Sequence, residues 1–281
     1  MRRMKNKLAP YLAFFRAGMK IEIAYKAQIV MWAVISVLEV LMVLFLYGAV
    51  YRSAEGGAGA VIGGFTFNEI IVYMITSFMF SFIMGGGDTA YNIYTDVREG
   101  TISGSLTKPV SYRLKHLSTA LGALTFQSAA LLLPFLTVCY AIFLSTGMLT
   151  VTPWAFASSV LAFLLFTLLA VLINDAIGYF TGMMVFFTDH LFGLNMVRNT
   201  LSGFLGGRLL PLSYMGTLGV IFSFTPFAFL NSVPVLTLMG KLSGTDVLLY
   251  LGIAVLWLIF IELSGNLAYR HGVRRLTVQG G

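Results

Sequence analysis

Charge is scarce in this chain. Asp, Glu, Lys and Arg together make up 10% of it, against about 25% in an ordinary soluble domain. With 58% apolar residues and a mean hydropathy of +0.87, a soluble fold is excluded. Cysteine is almost absent: Cys139 is the only one, and it lies in an apolar run, so neither an internal disulfide nor a cysteine-based metal site can form. No GxxxxGK[ST] phosphate loop occurs, and Gly85-Gly86-Gly87 lacks the following lysine that would reach a nucleotide's phosphates. The histidines, His116, His190 and His271, are widely separated and show no HExxH or comparable metal spacing. Serine, histidine and aspartate occur without a nucleophile elbow. The residues therefore offer no catalytic site, no metal site and no means of hydrolysing ATP. The net charge of +7 has no basic folded domain through which to bind nucleic acid, and its placement points to membrane topology instead.

What is present is lipid-compatible helix. A span needs about 20 mainly apolar residues. Six stretches are read as spans: 27–51 with Glu39 near its middle, 67–84, 117–144 with a kink expected at Pro134, 153–179 with Asn174 and Asp175 near its end, 188–209, and 247–268 containing Glu262. The fifth is interrupted by Asp189, His190, Arg198 and Arg208, so it is expected to face other helices, with Gly203 and Gly207 at small-xxx-small spacing. Residues 211–240 are apolar but broken by Pro211, Pro226 and Pro234. Broken helix at membrane depth survives only inside protein or beside water, which predicts a pair of re-entrant helices. Residues 1–26 start with Arg2, Arg3, Lys5 and Lys7 but lack a signal peptide's uninterrupted apolar core. Leu8, Leu12, Phe15, Met19 and Ile23 recur at helical spacing, with Arg16 and Lys20 on another face, as in an amphipathic helix lying in the membrane interface. Pro10 fits its first turn. The expected fold class is an all-α integral membrane protein with six transmembrane helices, residues 1–281 forming one domain.

The longest polar interruption is Val97 to Arg113. Thr101 can cap a short helix whose Ile102 and Leu106 lie four residues apart on one face, and Lys108-Pro109 ends it. So short a helix is unstable alone in water, and long flanking helices or a partner protein must hold it. Glu99-Gly100-Thr101-Ile102, then Leu106, then Lys108-Pro109-Val110 resemble the cytoplasmic loop of type-two ABC (ABC-2) export permeases, in the branch that includes daunorubicin-type drug-efflux permeases. Ser202-Gly203, Leu210-Pro211-Leu212, Pro226-Phe227 and Pro234 are similar to that family's outer re-entrant region. The resemblance implies that 97–113 is a coupling helix seated in a groove of an ATPase subunit, with Glu99, Gly100, Thr101, Ile102, Leu106, Lys108 and Pro109 as coupling residues. It also implies two permease subunits, identical or related, assembled with two ATPase subunits that bind the ATP and Mg. This chain would bind no cofactor itself. The expected cargo is a hydrophobic or amphipathic molecule, drug-like, lipid or peptide, exported across the plasma membrane.

Of the 18 Lys and Arg, seven lie in 1–26, four between Arg98 and Lys115 and three after Tyr269. With six spans these share one side, and the positive-inside rule places both termini and the 97–113 loop in the cytoplasm. Glu39, Arg198 and Glu262 fall within spans, where a charge costs about 2.5 to 3.5 kcal/mol on insertion scales. They are either functional or paired between helices. Two other classes of reading are a proton-coupled secondary transporter using Glu39 and Glu262 and a non-transporting membrane scaffold. Co-purification discriminates, because only the ABC reading demands a separate protein that carries the phosphate loop.

Overall fold

The computed structural model describes residues 2–54, 59–84, 88–149, 152–188 and 191–276. Gly85-Gly86-Gly87, Asp189, His190 and the Leu106 side chain lie outside the described residues. Helix α1 (Arg2–Ala24) lies along α6 (Tyr112–Gln127). Its inward face is Tyr11, Phe15, Gly18 and Glu22. The Tyr11 hydroxyl accepts from the Ser111 N–H at 3.1 Å, and Gln127 donates to Glu22 at 2.8 Å. The expected apolar stripe is divided: Phe15 and Met19 are half-buried, while Leu8, Leu12 and Ile23 are exposed. Pro10 is not in the first turn. The helix begins at Arg2, so Pro10 is interior and removes one main-chain hydrogen bond.

Helix α2 (Lys26–Ser53) packs on α3 (Phe67–Met84) through Val43, Tyr47 and Tyr51 of its second half, whereas Val30, Met31, Val34 and Leu38 of its first half are exposed. Two short helices follow, α4 (Thr89–Arg98) and α5 (Ile102–Leu106), before α6. Helix α7 (Leu133–Ser145) continues α6 through a π-helical turn at Ser128–Leu132. Pro134 accounts for that turn, since it lacks an N–H for the preceding turn's carbonyl and its ring crowds that carbonyl. The 31-residue α8 (Pro153–Met183) starts at a Thr152 cap with proline in its first turn, and it packs along the 33-residue α12 (Gly244–Leu276). Tyr112–Ser145, Pro153–Phe186 and Gly244–Arg274 are long and apolar enough to cross a membrane.

The fifth expected span is corrected. Helix α9 (Leu191–Leu205) has 15 residues, about 22 Å at 1.5 Å per residue, short of the roughly 30 Å hydrocarbon core. It stops where Gly206 and Gly207 (φ +77°) turn the chain, and the Gly206 carbonyl accepts from the Ser232 N–H at 3.0 Å. Gly203 and Gly207 are not a helix-packing motif, because nothing lies within 4 Å of a side chain begun at Gly203 and Gly207 belongs to the turn. The close approach falls at Gly178 and Gly182 of α8, where Thr89, Ala90 and Ile93 of α4 press in.

Beyond α9 the chain dips into the bundle and returns. Tyr214 meets Tyr51 with hydroxyls 3.0 Å apart. After α10 (Thr217–Ser223), Asn231 donates to Ser77 and accepts from Ser81 in the body of α3. Helix α11 (Ser232–Leu238) then leads back to Lys241, 2.8 Å from Glu69 near the start of α3. Pro211 precedes a 3-10 turn at Leu212–Met215, Pro226 lies in the bend before Ala228–Leu230, and Pro234 is buried in the first turn of α11.

Candidate coupling site and polar cavity

The short α5 is fastened by its own chain. Asp88 caps α4 by accepting from the Ala90 and Tyr91 N–H groups, Glu99 ends that helix, and Gly100 (φ +72°) turns the backbone into α5, a conformation glycine adopts without steric cost. Thr101 occupies the cap position but does not cap: its hydroxyl turns back to the Asp96 carbonyl and carboxylate. Ile102 is 3% exposed and packs with Ile93, Tyr112, Tyr179 and Met183. This corrects its expected role as an anchor in a partner's groove. Burying one such side chain is worth about 1.5 to 3 kcal/mol, and here that stabilisation holds α5 against α4, α6 and α8. The exposed face of the loop consists of Glu99, Gly100, Thr101, Ser103, Gly104, Thr107, Lys108 and Pro109.

Asp96 organises the polar side of this cluster. It accepts from Tyr112 at 3.1 Å and Lys115 at 3.0 Å, and His116 Nε2 lies 3.4 Å away. Burial acts to raise the Asp96 carboxyl, but hydrogen bonds and charge from His116 and Lys115 more than offset it and hold the group well below the usual carboxylate range. A depressed folded value means that the cluster stabilises the fold above the unfolded carboxylate range, about pH 4, and that this contribution fades as the pH falls below it. Asp96→Asn should therefore melt below the parent protein at pH 7, with the gap narrowing only under about pH 4. Equal melting temperatures at pH 7 would remove Asp96 from that role.

One turn beyond the loop, Arg113 joins three helices. Its Nε donates to both Glu262 oxygens at 3.1 and 3.0 Å, Nη2 also pairs with Glu262, and Nη1 pairs with Asp175. The Thr89 hydroxyl donates to the other Asp175 oxygen, and the guanidinium sits 4.7 Å over the Tyr179 ring. Arg113 is 8% exposed and Asp175 4%. A fork-shaped donor suits this arrangement because it can serve two carboxylates in fixed directions. The first residues of α6 are thus tied to α8 and α12, and through Thr89 to α4. Glu262, an intramembrane candidate in the sequence, is committed to Arg113.

The other two intramembrane candidates face a cavity of about 710 Å³ between α1, the first half of α2, α3, α6 and α9. Glu39 pairs with Arg208 at 3.1 Å, and Arg198 with Asp88 at 3.5 Å. Arg208 also lies 5.4 Å from the centre of the Phe78 ring. Asn231, at the bottom of the dipping segment, lines the same space. Sequence reading did not single out Arg113, Asp88 or Arg208 as site residues. Their only local signals are the Ser111 cap at the start of α6, the polar break after Met84 and an arginine within an apolar run. Among the described residues, no group of His, Cys, Asp and Glu could hold a metal ion.

A family model described as ABC-2 family transporter protein matches residues 23–280. The chain belongs to the ABC-2 transporter family. The match starts near the end of α1 and takes in the Arg113 junction and the cavity lining apart from Gly18, Ile21 and Glu22. Searches of curated proteins and of solved structures returned no match. As an ABC-2 protein it is a membrane component of transport. The Arg113 junction is tightly bonded beside a polar loop, and the cavity is a partly open space with charges at its walls.

Proposed function

We propose that this ABC-2 protein is the permease subunit of an ATP-driven exporter in the plasma membrane. It moves a hydrophobic or amphipathic substrate out of the cytoplasm, and separate ATPase subunits supply the ATP and Mg chemistry. Two permeases, identical or related, pair with two ATPases. In this reading α2, α3, α6 with α7, α8 and α12 cross the membrane, the short α9 completes the sixth crossing only together with the turn after it, and α10 and α11 form the re-entrant pair. Both termini and the 97–113 loop face the cytoplasm, where fourteen of the eighteen basic residues gather.

The observation that carries the reading is α5. A five-residue helix cannot persist by itself, yet this one is clamped from within by Ile102 and joined through Arg113 to the longest helices of the chain. Such a unit moves as one body. A force applied to its polar outer face reaches α8 and α12 directly, so nucleotide-driven closure of the ATPases shifts the permease between two states. Glu99, Thr101, Lys108 and Pro109 of that face make the docking contacts, and Ile102 acts from behind. Replacing Ser103 with Trp and Lys108 with Glu on the exposed face should leave membrane insertion intact, because both side chains are exposed and Ser103 makes only a local bond to the Gly100 carbonyl, and should remove the ATPase from the purified complex. A doubly substituted protein that inserts normally and retains its ATPase would rule out docking at α5.

A further inference from the structure

We propose that the 710 Å³ cavity binds a zwitterionic amphiphile: an ammonium and an oxyanion a few ångströms apart on a headgroup, attached to an apolar tail. The inference deepens the permease reading by naming the substrate class, and it rests on that reading only for what happens after binding.

Glu39 and Arg208 are 35% and 36% exposed at their side chains, and Asp88 is 37% exposed. Glu39 lies inside α2, and Asp88 and Arg208 lie on segments flanked by membrane-crossing helices, where a charge open to hydrocarbon is costly. An open ion pair in that setting has to meet water or a polar ligand. The contrast with Arg113 is instructive. Arg113 spends Nε, Nη1 and Nη2 on two carboxylates, and it is sealed. Arg208 uses only Nη2, on Glu39, and its Nε has no partner among the described residues. A guanidinium has five N–H donors in a fixed fork, so Arg208 retains capacity for a ligand oxyanion while Glu39 beside it can receive a cation.

The walls carry Glu22, Glu39 and Asp88 against Arg198 and Arg208. A purely anionic headgroup adds to an excess of one carboxylate, and a purely cationic one offsets that excess but leaves the unused donors of Arg208 without an oxyanion. A headgroup carrying both signs can insert into an existing pair with its own charges matched and leave no wall charge alone. The two pairs lie on different parts of the wall, Arg198 within α9 and Arg208 past the turn that ends it. A headgroup can occupy one pair while its tail runs along Ile35, Phe78, Phe82 and Leu230, which line the same space.

The test uses the full-length chain purified in an uncharged alkyl maltoside, with its ATPase where that copurifies. Binding of lysophosphatidylcholine, lysophosphatidylglycerol and an alkyltrimethylammonium of matched chain length is measured by native mass spectrometry. The expected result is a one-to-one lysophosphatidylcholine complex at least tenfold tighter than either singly charged probe. It should weaken tenfold or more in a Glu39→Gln, Arg208→Gln double variant. Gly203→Phe is the control against misfolding. Gly203 lines the cavity, and a side chain begun there meets nothing within 4 Å, so this variant should keep its melting temperature and lose the complex. Equal binding of the three probes, or a complex unchanged in both variants, would overturn the proposal. Because binding is read without ATP, an ATPase that copurifies with a permease showing no selectivity defeats this inference alone. Selective binding with no ATPase partner defeats the permease reading alone.

Discussion

Arg113→Met should be the most damaging single substitution in the chain. It leaves Asp175, 4% exposed, and the neighbouring Glu262 as adjacent carboxylates without the cation that both were built around. Removing one partner of a buried charge pair costs about 3–5 kcal/mol, because the desolvation of the remaining charge is no longer offset. That is a large share of the roughly 5–15 kcal/mol by which folded proteins are stable. Arg113→Lys should recover only part of it, since an ammonium is a single point of charge and cannot address Asp175 and Glu262 from separate nitrogens. The informative variant replaces all three groups with neutral ones, Arg113→Met with Asp175→Asn and Glu262→Gln. This should restore much of the melting temperature, because no unpaired charge is left inside. It should still uncouple transport from ATP hydrolysis, because the bonded link from α6 to α8 and α12 is gone. If Arg113→Met melts within a degree or two of the parent, the junction is not what holds these helices together.

The second large effect is expected at Gly122. A side chain added there would run into the main-chain carbonyl of Phe15, and one added at Gly18 would run into that of Thr119. These are contacts of backbone with backbone across the α1–α6 interface, so no rotamer change relieves them, and even alanine has to push the helices apart. Overpacking of this kind costs about 1–3 kcal/mol. Here the cost also includes the Tyr11–Ser111 and Gln127–Glu22 hydrogen bonds, which hold only while α1 lies close. Gly122→Ala should lower the melting temperature and expose α1 to protease. Gly48→Ala on α2, where nothing lies within 4 Å, should be neutral or stabilise by about 0.5–1 kcal/mol, because helix-interior glycine costs that much in chain entropy. Equal outcomes at the two glycines would mean that α1 is not packed on α6.

The membrane class, the helical content and the place of the short helix after Gly100 were legible in the sequence because each depends on local pattern. Hydropathy over about 20 residues reports on a span regardless of what it packs against. Proline and glycine end or bend a helix through their own backbone, which is why Pro134 and the proline-broken 211–240 region could be recognised as interruptions. Thr101 shows the limit of such reading. Its residue type suits a cap, but its hydroxyl is turned back to donate to Asp96, away from the N–H groups a cap would accept from.

Composition and periodicity by themselves determined that this protein lives in a membrane and that it is helical. Only the tertiary structure decided which charges meet. Arg113 finds Asp175 across 62 residues and Glu262 across 149, and nothing in a local window encodes a partner so distant. The same holds for Ile102. Its spacing from Leu106 fixes a shared helix face but not the body that face meets, and packing turned Ile102 inward because Ile93, Tyr112, Tyr179 and Met183 already enclosed an apolar space. Helix α9 likewise stops where Gly206 and Gly207 turn toward Ser232. The apolar run continues past that turn, so hydropathy alone overstated the helix, and the end was set by a hydrogen bond between segments that only folding brings together.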